Sequence, residues 1–177
     1  MINSRTYKTI IIALLAALGY ALSTFVSFPT MAPFQHFVNV LAAVFVGPWG
    51  ALVAAFITGA LRVVINGTSV LAIIGAVVGA FLSGWLYRFT NKFIFAFIGE
   101  IIGTGVISAI ISVPVMIAFY GLAPETPFYF YIPFFTPSSA MGGALGVILL
   151  IALKKAKVLN KLKAWDDKKI KSDSLEK

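Results

Sequence analysis

The segment PFQHFVNVLAAVFVGPWG, residues 33–50, decides the fold of this chain. It places Gln35, the only histidine (His36) and Asn39 within two helical turns of an otherwise apolar stretch, and a Gly-Pro pair then interrupts the helix. Polar side chains at membrane depth are energetically costly, so they are candidates for a functional role. They adjoin an aromatic, proline-containing loop, where a small ligand can be held.

The composition of the whole chain is that of a membrane protein. Hydrophobic residues make up 60% of the 177 residues and charged residues 11%. Most hydrophobic runs reach the roughly 20 residues that a helix needs to cross a bilayer. We therefore predict one membrane domain, residues 1–155, followed by a basic cytoplasmic tail, residues 156–177. The absence of cysteine excludes disulfides and thiolate metal sites.

The pattern of apolar runs and breaks predicts an all-α protein with six transmembrane helices. Proline at positions 29 and 33 separates the first two helices, and Gly47-Pro48 separates the second from the third. The predicted helices cover about residues 5–25, 35–46, 51–65, 69–89, 92–120 and 136–155.

The basic residues predict how the chain lies in the membrane. The net charge of +8 comes mainly from both tails and the link at residues 88–92, which six crossings place on one side. The positive-inside rule then puts both termini in the cytoplasm. We expect a multi-pass protein of the cell (plasma) membrane whose His36 cluster opens outward. Lysine and arginine at helix ends are not a signal for nucleic acid.

Stripes of small residues indicate close helix packing. Ala13, Ala17 and Ala21 are four apart and share one face of the first helix. Such a face packs against a helix of the same chain or docks another membrane protein, and spacing does not distinguish the two. Similar stripes occur at Ala51, Ala55 and Gly59; Ala76, Ala80 and Gly84; Gly99 and Gly103; and Gly142 and Gly146.

Several polar and aromatic residues are candidates for a ligand site. Gln35, His36 and Asn39 are neighbours on one side of the second helix, and Arg62 and Asn66 are one turn apart on the third. Amide, imidazole and guanidinium groups supply donors and acceptors for a heteroaromatic ligand with a hydroxyl or phosphate. Stacking surfaces are available from Phe34, Phe37, Tyr129 and Tyr131.

Structural roles compete with these assignments. Asn66 can make a turn or cap the next helix, Arg62 can extend to the outer headgroups, and His36 can bond a backbone carbonyl of the loop. Glu100, inside the fifth helix, must be paired, hydrogen-bonded or protonated. It is either structural, with a partner such as Tyr87, Thr104 or Arg88, or a proton-coupling carboxylate.

Catalytic patterns are missing from the sequence. It has one histidine, no cysteine and no pair of carboxylates spaced for acid–base chemistry, and Ser138 and Ser139 follow a proline at a helix start. We predict that the protein is not an enzyme and needs no cofactor or metal. A glycine loop of the Walker type is also missing, so any ATP-derived energy has to come from a partner.

The chain resembles the S components of energy-coupling-factor (ECF) vitamin transporters, and more narrowly their thiazole-precursor (ThiW) type. The resemblance covers nearly all of residues 5–155. Its most specific part is QHFVNVLAA at residues 35–43, followed by GPW at residues 47–49. Supporting pieces are Leu61-Arg62 with NGT at residues 66–68, and residues 75–88 and 99–105.

The resemblance implies a function and partners. The face formed by Ala13, Ala17 and Ala21 would contact a transmembrane coupling subunit served by a pair of ABC ATPases. The ligand would lie between the outer helix ends and would be released inward when the S component topples. The implied substrate is 4-methyl-5-(2-hydroxyethyl)thiazole, a thiamin precursor. The alternatives are an S component for thiamin or hydroxymethylpyrimidine, and a self-sufficient proton-coupled carrier that uses Glu100.

Overall fold

Five long helices form the part of the chain that the computed structural model describes, residues 4–26 and 32–159. Each is long and apolar enough to cross a membrane. The described residues contain no strand, so the predicted all-α class is confirmed for them. The helices are α1 (Ser4–Phe25), α2 (Pro33–Asn66), α3 (Leu71–Thr90), α4 (Phe93–Tyr120) and α5 (Ile132–Lys155).

Helix α2 folds back on itself at Gly47. This residue has φ 73° and ψ −177°, which is not helical, and Pro48 follows it. A straight helix would separate Gln35 and Arg62, which are 27 positions apart, by about 40 Å. Instead, Arg62 Nη1 donates a hydrogen bond to Gln35 Oε1. The predicted break is therefore confirmed as the tip of a helical hairpin, while six membrane crossings remain a prediction.

Helix α4 contains a π-helical segment, Ile101–Ser108, between two α-helical parts. This segment packs directly on the backbone of α3, because a Cβ built on Gly103 would lie 2.6 Å from the Cα of Gly79. Gly99, Gly142 and Gly146 are likewise buried, and each lies against the backbone of a neighbouring helix. The stripes in α2, α3, α4 and α5 thus serve internal packing, as their spacing predicts.

The alanine stripe of α1 differs from the others. Leu15 and Ala16 are buried, and Thr58 Oγ1 donates to the carbonyl of Ala16 at 3.1 Å, so that side of α1 packs on α2. Ala13 and Ala17 lie on the other side and are exposed, and Ala21 is half-buried. At Ala13 and Ala17 the residues that the structure describes leave this face of α1 uncovered.

The start of α5 corrects one predicted boundary. The helix begins at Ile132, not near residue 136. Pro133 lies in the first turn, where a missing N–H costs no intrahelical bond, and Pro137 is accommodated inside the helix. The loop around Pro29 and the tail from residue 160 onward lie outside the described residues.

The conformation of Gly47 makes a prediction about stability. Its backbone lies in a region that is nearly exclusive to glycine. Gly47→Ala should therefore lower the free energy of unfolding by about 1–3 kcal/mol. The matched control is Gly67→Asn: Gly67 also has a positive φ, 64°, but in the left-handed helical region that asparagine tolerates. Thermal unfolding in detergent checks both, and an unchanged Gly47→Ala melting temperature would contradict the prediction.

Candidate functional site

A cavity of about 390 Å³ lies between the helices and falls within the size range of small-ligand pockets. Its polar lining comes from both arms of α2, the loop before α3, the π-helical segment of α4 and the start of α5. The aromatic rings on its wall belong to Tyr131 and Phe135. The polar lining residues are Gln35, His36, Arg62, Thr68, Ser69, Thr104 and Ser138.

The cavity lies at the opposite end of the bundle from the basic residues. In α3 the lining residues are Leu71, Ala72 and Gly75, and Arg88 is at the other end, about 20 Å away. At that other end the positive charge of Lys8 lies near that of Arg88 and is repelled by it. Lys154 Nζ lies 5.8 Å from the centroid of the Phe93 ring at the same end. The bundle therefore has one strongly basic end and one end that contains the cavity.

Glu100 lies beneath the cavity and joins the polar cluster of α2. Its Oε1 is 2.9 Å from His36 Nδ1 and accepts hydrogen bonds from Asn39 Nδ2 at 2.9 Å and Thr104 Oγ1 at 3.1 Å. The residue is fully buried, and its Oε2 has no hydrogen-bond partner among the described residues. Thr104 is thus confirmed as one of the partners predicted for Glu100, but the sequence did not reveal that Glu100 belongs to the His36 cluster.

The local structure of α3 and α4 makes room for this carboxylate. Glu100 is the last residue before the π-helical segment, and Thr104 in that segment donates back to it. π-helical insertions in α-helices are frequent at functional sites. A Cβ on Gly79 would lie 3.0 Å from Glu100 Oε1, so the glycine of α3 leaves the space that the carboxylate occupies.

Gln35 and Asn39 tie the first arm of α2 to α3. Gln35 Nε2 donates to the carbonyl of Ala72 at 2.8 Å, and Asn39 Nδ2 donates to the carbonyl of Ala76 at 3.2 Å. The two amides are one turn apart on α2, and so are the carbonyls on α3. Gln35 lines the cavity, while Asn39 reaches it only through the Glu100 cluster.

Two polar atoms of the cavity lining have no protein partner among the described residues. They are Arg62 Nε and Thr68 Oγ1, and both are buried. Buried polar groups are nearly always hydrogen-bonded, so these two atoms are candidates for hydrogen bonds to a ligand. The Arg62 side chain turns inward, where Nη1 donates to Gln35 Oε1, and its Nε has no partner among the described residues.

Besides Asn39, four of the predicted site residues do not line the cavity: Asn66, Tyr129, Phe34 and Phe37. Asn66 Oδ1 accepts from the Tyr20 hydroxyl at 2.9 Å and its Nδ2 donates to Thr24 Oγ1 at 2.8 Å, so its side chain links α2 to α1. Tyr129 is 55% exposed and does not line the cavity. Tyr131 does, and partial burial raises the pKa of its phenol.

Apolar helices around a small polar cavity define a multi-pass membrane protein that handles a small molecule. The model of one protein family, the thiamine-precursor transporter protein (ThiW), matches residues 9–156. The chain therefore belongs to the ThiW family of thiamine-precursor transporters, which are not enzymes. No curated protein and no solved structure matches the chain.

The bonds of Asn39 make a prediction about stability. Both of its partners, the Ala76 carbonyl and Glu100 Oε1, are acceptors, so Asn39→Asp replaces two donated bonds by repulsion. We expect a loss of about 1–3 kcal/mol or more in the free energy of unfolding. Asn66→Asp is the control: the Tyr20 hydroxyl already donates to Oδ1, the Thr24 hydroxyl can turn from the Tyr20 carbonyl to the new carboxylate, and the position is exposed. Equal melting temperatures of the two variants without ligand would contradict this account.

Proposed function

We propose that the chain is the substrate-capture (S) subunit of an ECF-type ABC importer. It binds 4-methyl-5-(2-hydroxyethyl)thiazole from the extracellular side and delivers it inward by toppling on an ATP-driven coupling module. Membership of the ThiW family supports the class of substrate. The observation that carries the proposal is the polar cavity lined by Gln35, His36 and Arg62.

The chemistry of the cavity suits a small hydroxylated heteroaromatic compound. Tyr131 and Phe135 offer ring surface, while Arg62 Nε and the Thr68 hydroxyl have hydrogen-bonding capacity that residues 4–26 and 32–159 leave unused. Pockets of this kind are mostly apolar with a few placed polar groups. The substrate-binding residues of the proposal are Gln35, His36, Arg62 and Tyr131, with Asn39 acting through Glu100.

The basic residues at one end of the bundle support an orientation of the protein in the membrane. The basic end of the bundle contains residues near both ends of the described chain, Lys8 and Lys154. By the positive-inside rule this end faces the cytoplasm, with both termini, and the cavity faces outward from the plasma membrane. A substrate-capture subunit of an importer requires that arrangement.

The exposed alanine face of α1 supports the coupling step. Ala13 and Ala17 leave a shallow surface, because their side chains end at Cβ, and the described residues do not cover it. Small residues let helices approach closely in lipid. In the proposal this face, with Ala21, contacts the transmembrane coupling subunit, which carries the pair of ABC ATPases.

Ligand binding tests the substrate assignment. The purified chain should bind 4-methyl-5-(2-hydroxyethyl)thiazole in calorimetry, and His36→Ala should weaken that binding at least tenfold because the cavity loses an imidazole. Tyr131→Ala should also weaken it, whereas Tyr129→Ala should leave it unchanged, since only Tyr131 lines the cavity. If the wild-type chain bound no thiazole, the substrate assignment would be wrong.

Uptake tests the docking face. Ala17→Trp should retain thiazole binding but abolish uptake by cells that contain the coupling subunits, because the indole keeps the helices apart. The control is Ile148→Trp, which places the same side chain at a position that is 63% exposed on α5. Normal uptake by Ala17→Trp would argue against docking through this face, and uptake without coupling subunits would favour a self-sufficient carrier.

A further inference from the structure

The orientation of the Asn39 amide determines which group accepts at Glu100. Asn39 Nδ2 lies within hydrogen-bond distance of both the Ala76 carbonyl and Glu100 Oε1, at 3.2 and 2.9 Å. A carbonyl oxygen accepts only, so the amide nitrogen faces it and both of its hydrogens are used. Glu100 Oε1 is therefore an acceptor, as the Thr104 hydroxyl at 3.1 Å also indicates.

This arrangement determines which nitrogen of His36 carries a proton. His36 Nδ1 lies 2.9 Å from the same Oε1, which already accepts from Asn39 and Thr104. An oxygen that accepts from two donors is a poor donor itself, so the hydrogen between it and the imidazole belongs to Nδ1. The opposite nitrogen, Nε2, has no hydrogen-bond partner in the described chain, and His36 lines the cavity.

We propose that Glu100 is a positioning residue that holds the His36 proton on Nδ1, so that Nε2 faces the ligand as a hydrogen-bond acceptor. The site then selects small heteroaromatic ligands that present an O–H or N–H donor to His36. This inference rests on the proposed function for the identity of the ligand, but the state of the imidazole does not depend on it.

Arg62 strengthens the selection. It lines the same cavity, and its Nε has no partner in the part of the chain that the structure describes, so it supplies the site with a donor for a ligand acceptor. The cavity thus offers an acceptor at Nε2 and a donor at Nε. A hydroxyl and a ring heteroatom on one small ligand complement this pair.

The single histidine allows a direct test. In the full chain labelled with ¹⁵N-histidine, ring resonances come from His36 alone. At pH 7.5 without ligand, we expect a protonated, pyrrole-type Nδ1 and a bare, pyridine-type Nε2. A proton on Nε2, whether in the other neutral tautomer or in the imidazolium, would overturn the proposal.

Two substitutions of Glu100 distinguish a role in positioning the His36 proton from a role in stability alone. Glu100→Gln keeps an acceptor oxygen for His36 and should retain the Nδ1–H form, whereas Glu100→Leu removes the acceptor and should move the proton to Nε2. Ser83→Ala is the control, since it removes an equally buried bond between α3 and α4, Ser83 Oγ to the Ala96 carbonyl, away from His36. Loss of the Nδ1–H form in folded Glu100→Gln would overturn the proposal.

A pair of ligands tests the selection. The wild-type chain should bind 4-methyl-5-(2-hydroxyethyl)thiazole at least tenfold more tightly than its methyl ether, which cannot donate a hydrogen bond. Glu100→Gln should keep this preference, and Glu100→Leu should reduce it to less than threefold if it folds. Equal wild-type affinity for both compounds would overturn the inference. Failure of both to bind would instead overturn the proposed substrate, and the resonances of His36 would still decide its state.

Discussion

The burial of the Glu100 carboxyl group is the constraint on which the rest of the structure depends. A group that is 0% exposed in an apolar bundle is costly unless donors surround it. The structure supplies them from α2, with His36 and Asn39, and from α4 itself, with Thr104. Because Asn39 also donates to the Ala76 carbonyl, the same few bonds position α2, α3 and α4 relative to one another. The cavity is the space directly above this cluster.

Much of the helical fold follows from local sequence signals. Hydropathy locates the helices, and Gly47-Pro48 marks the tip of the hairpin, because only a few residue types allow a chain to reverse there. The predicted start of α5 was wrong because proline is tolerated in the first turn of a helix, so α5 already includes Pro133, and Pro137 lies further inside it. The alanine stripe of α1 has the same spacing as the buried ones. Spacing specifies a flat face but not what covers it.

The polar residues of the candidate site that could be predicted from the sequence are those whose burial in an apolar helix costs free energy. Gln35, His36 and Arg62 stand out for that reason, and they do line the cavity. Glu100 stands out as well, but its contact with His36 spans 64 positions and depends on how two helices are rotated, which no local pattern contains. Tyr129 and Tyr131 look equivalent in sequence, and only the packing of the loop places one of them on the cavity wall.

The cavity wall is made of residues that are far apart in the chain, from Gln35 in α2 to Ser138 in α5. No single helix or hairpin carries enough of the wall to hold a ligand, so the binding site exists only after insertion and helix packing are complete. Any compound that binds there stabilises the finished bundle and not its intermediates, by an amount that grows with its concentration. Ligand binding in the cavity therefore also measures how much of the protein has inserted and folded correctly.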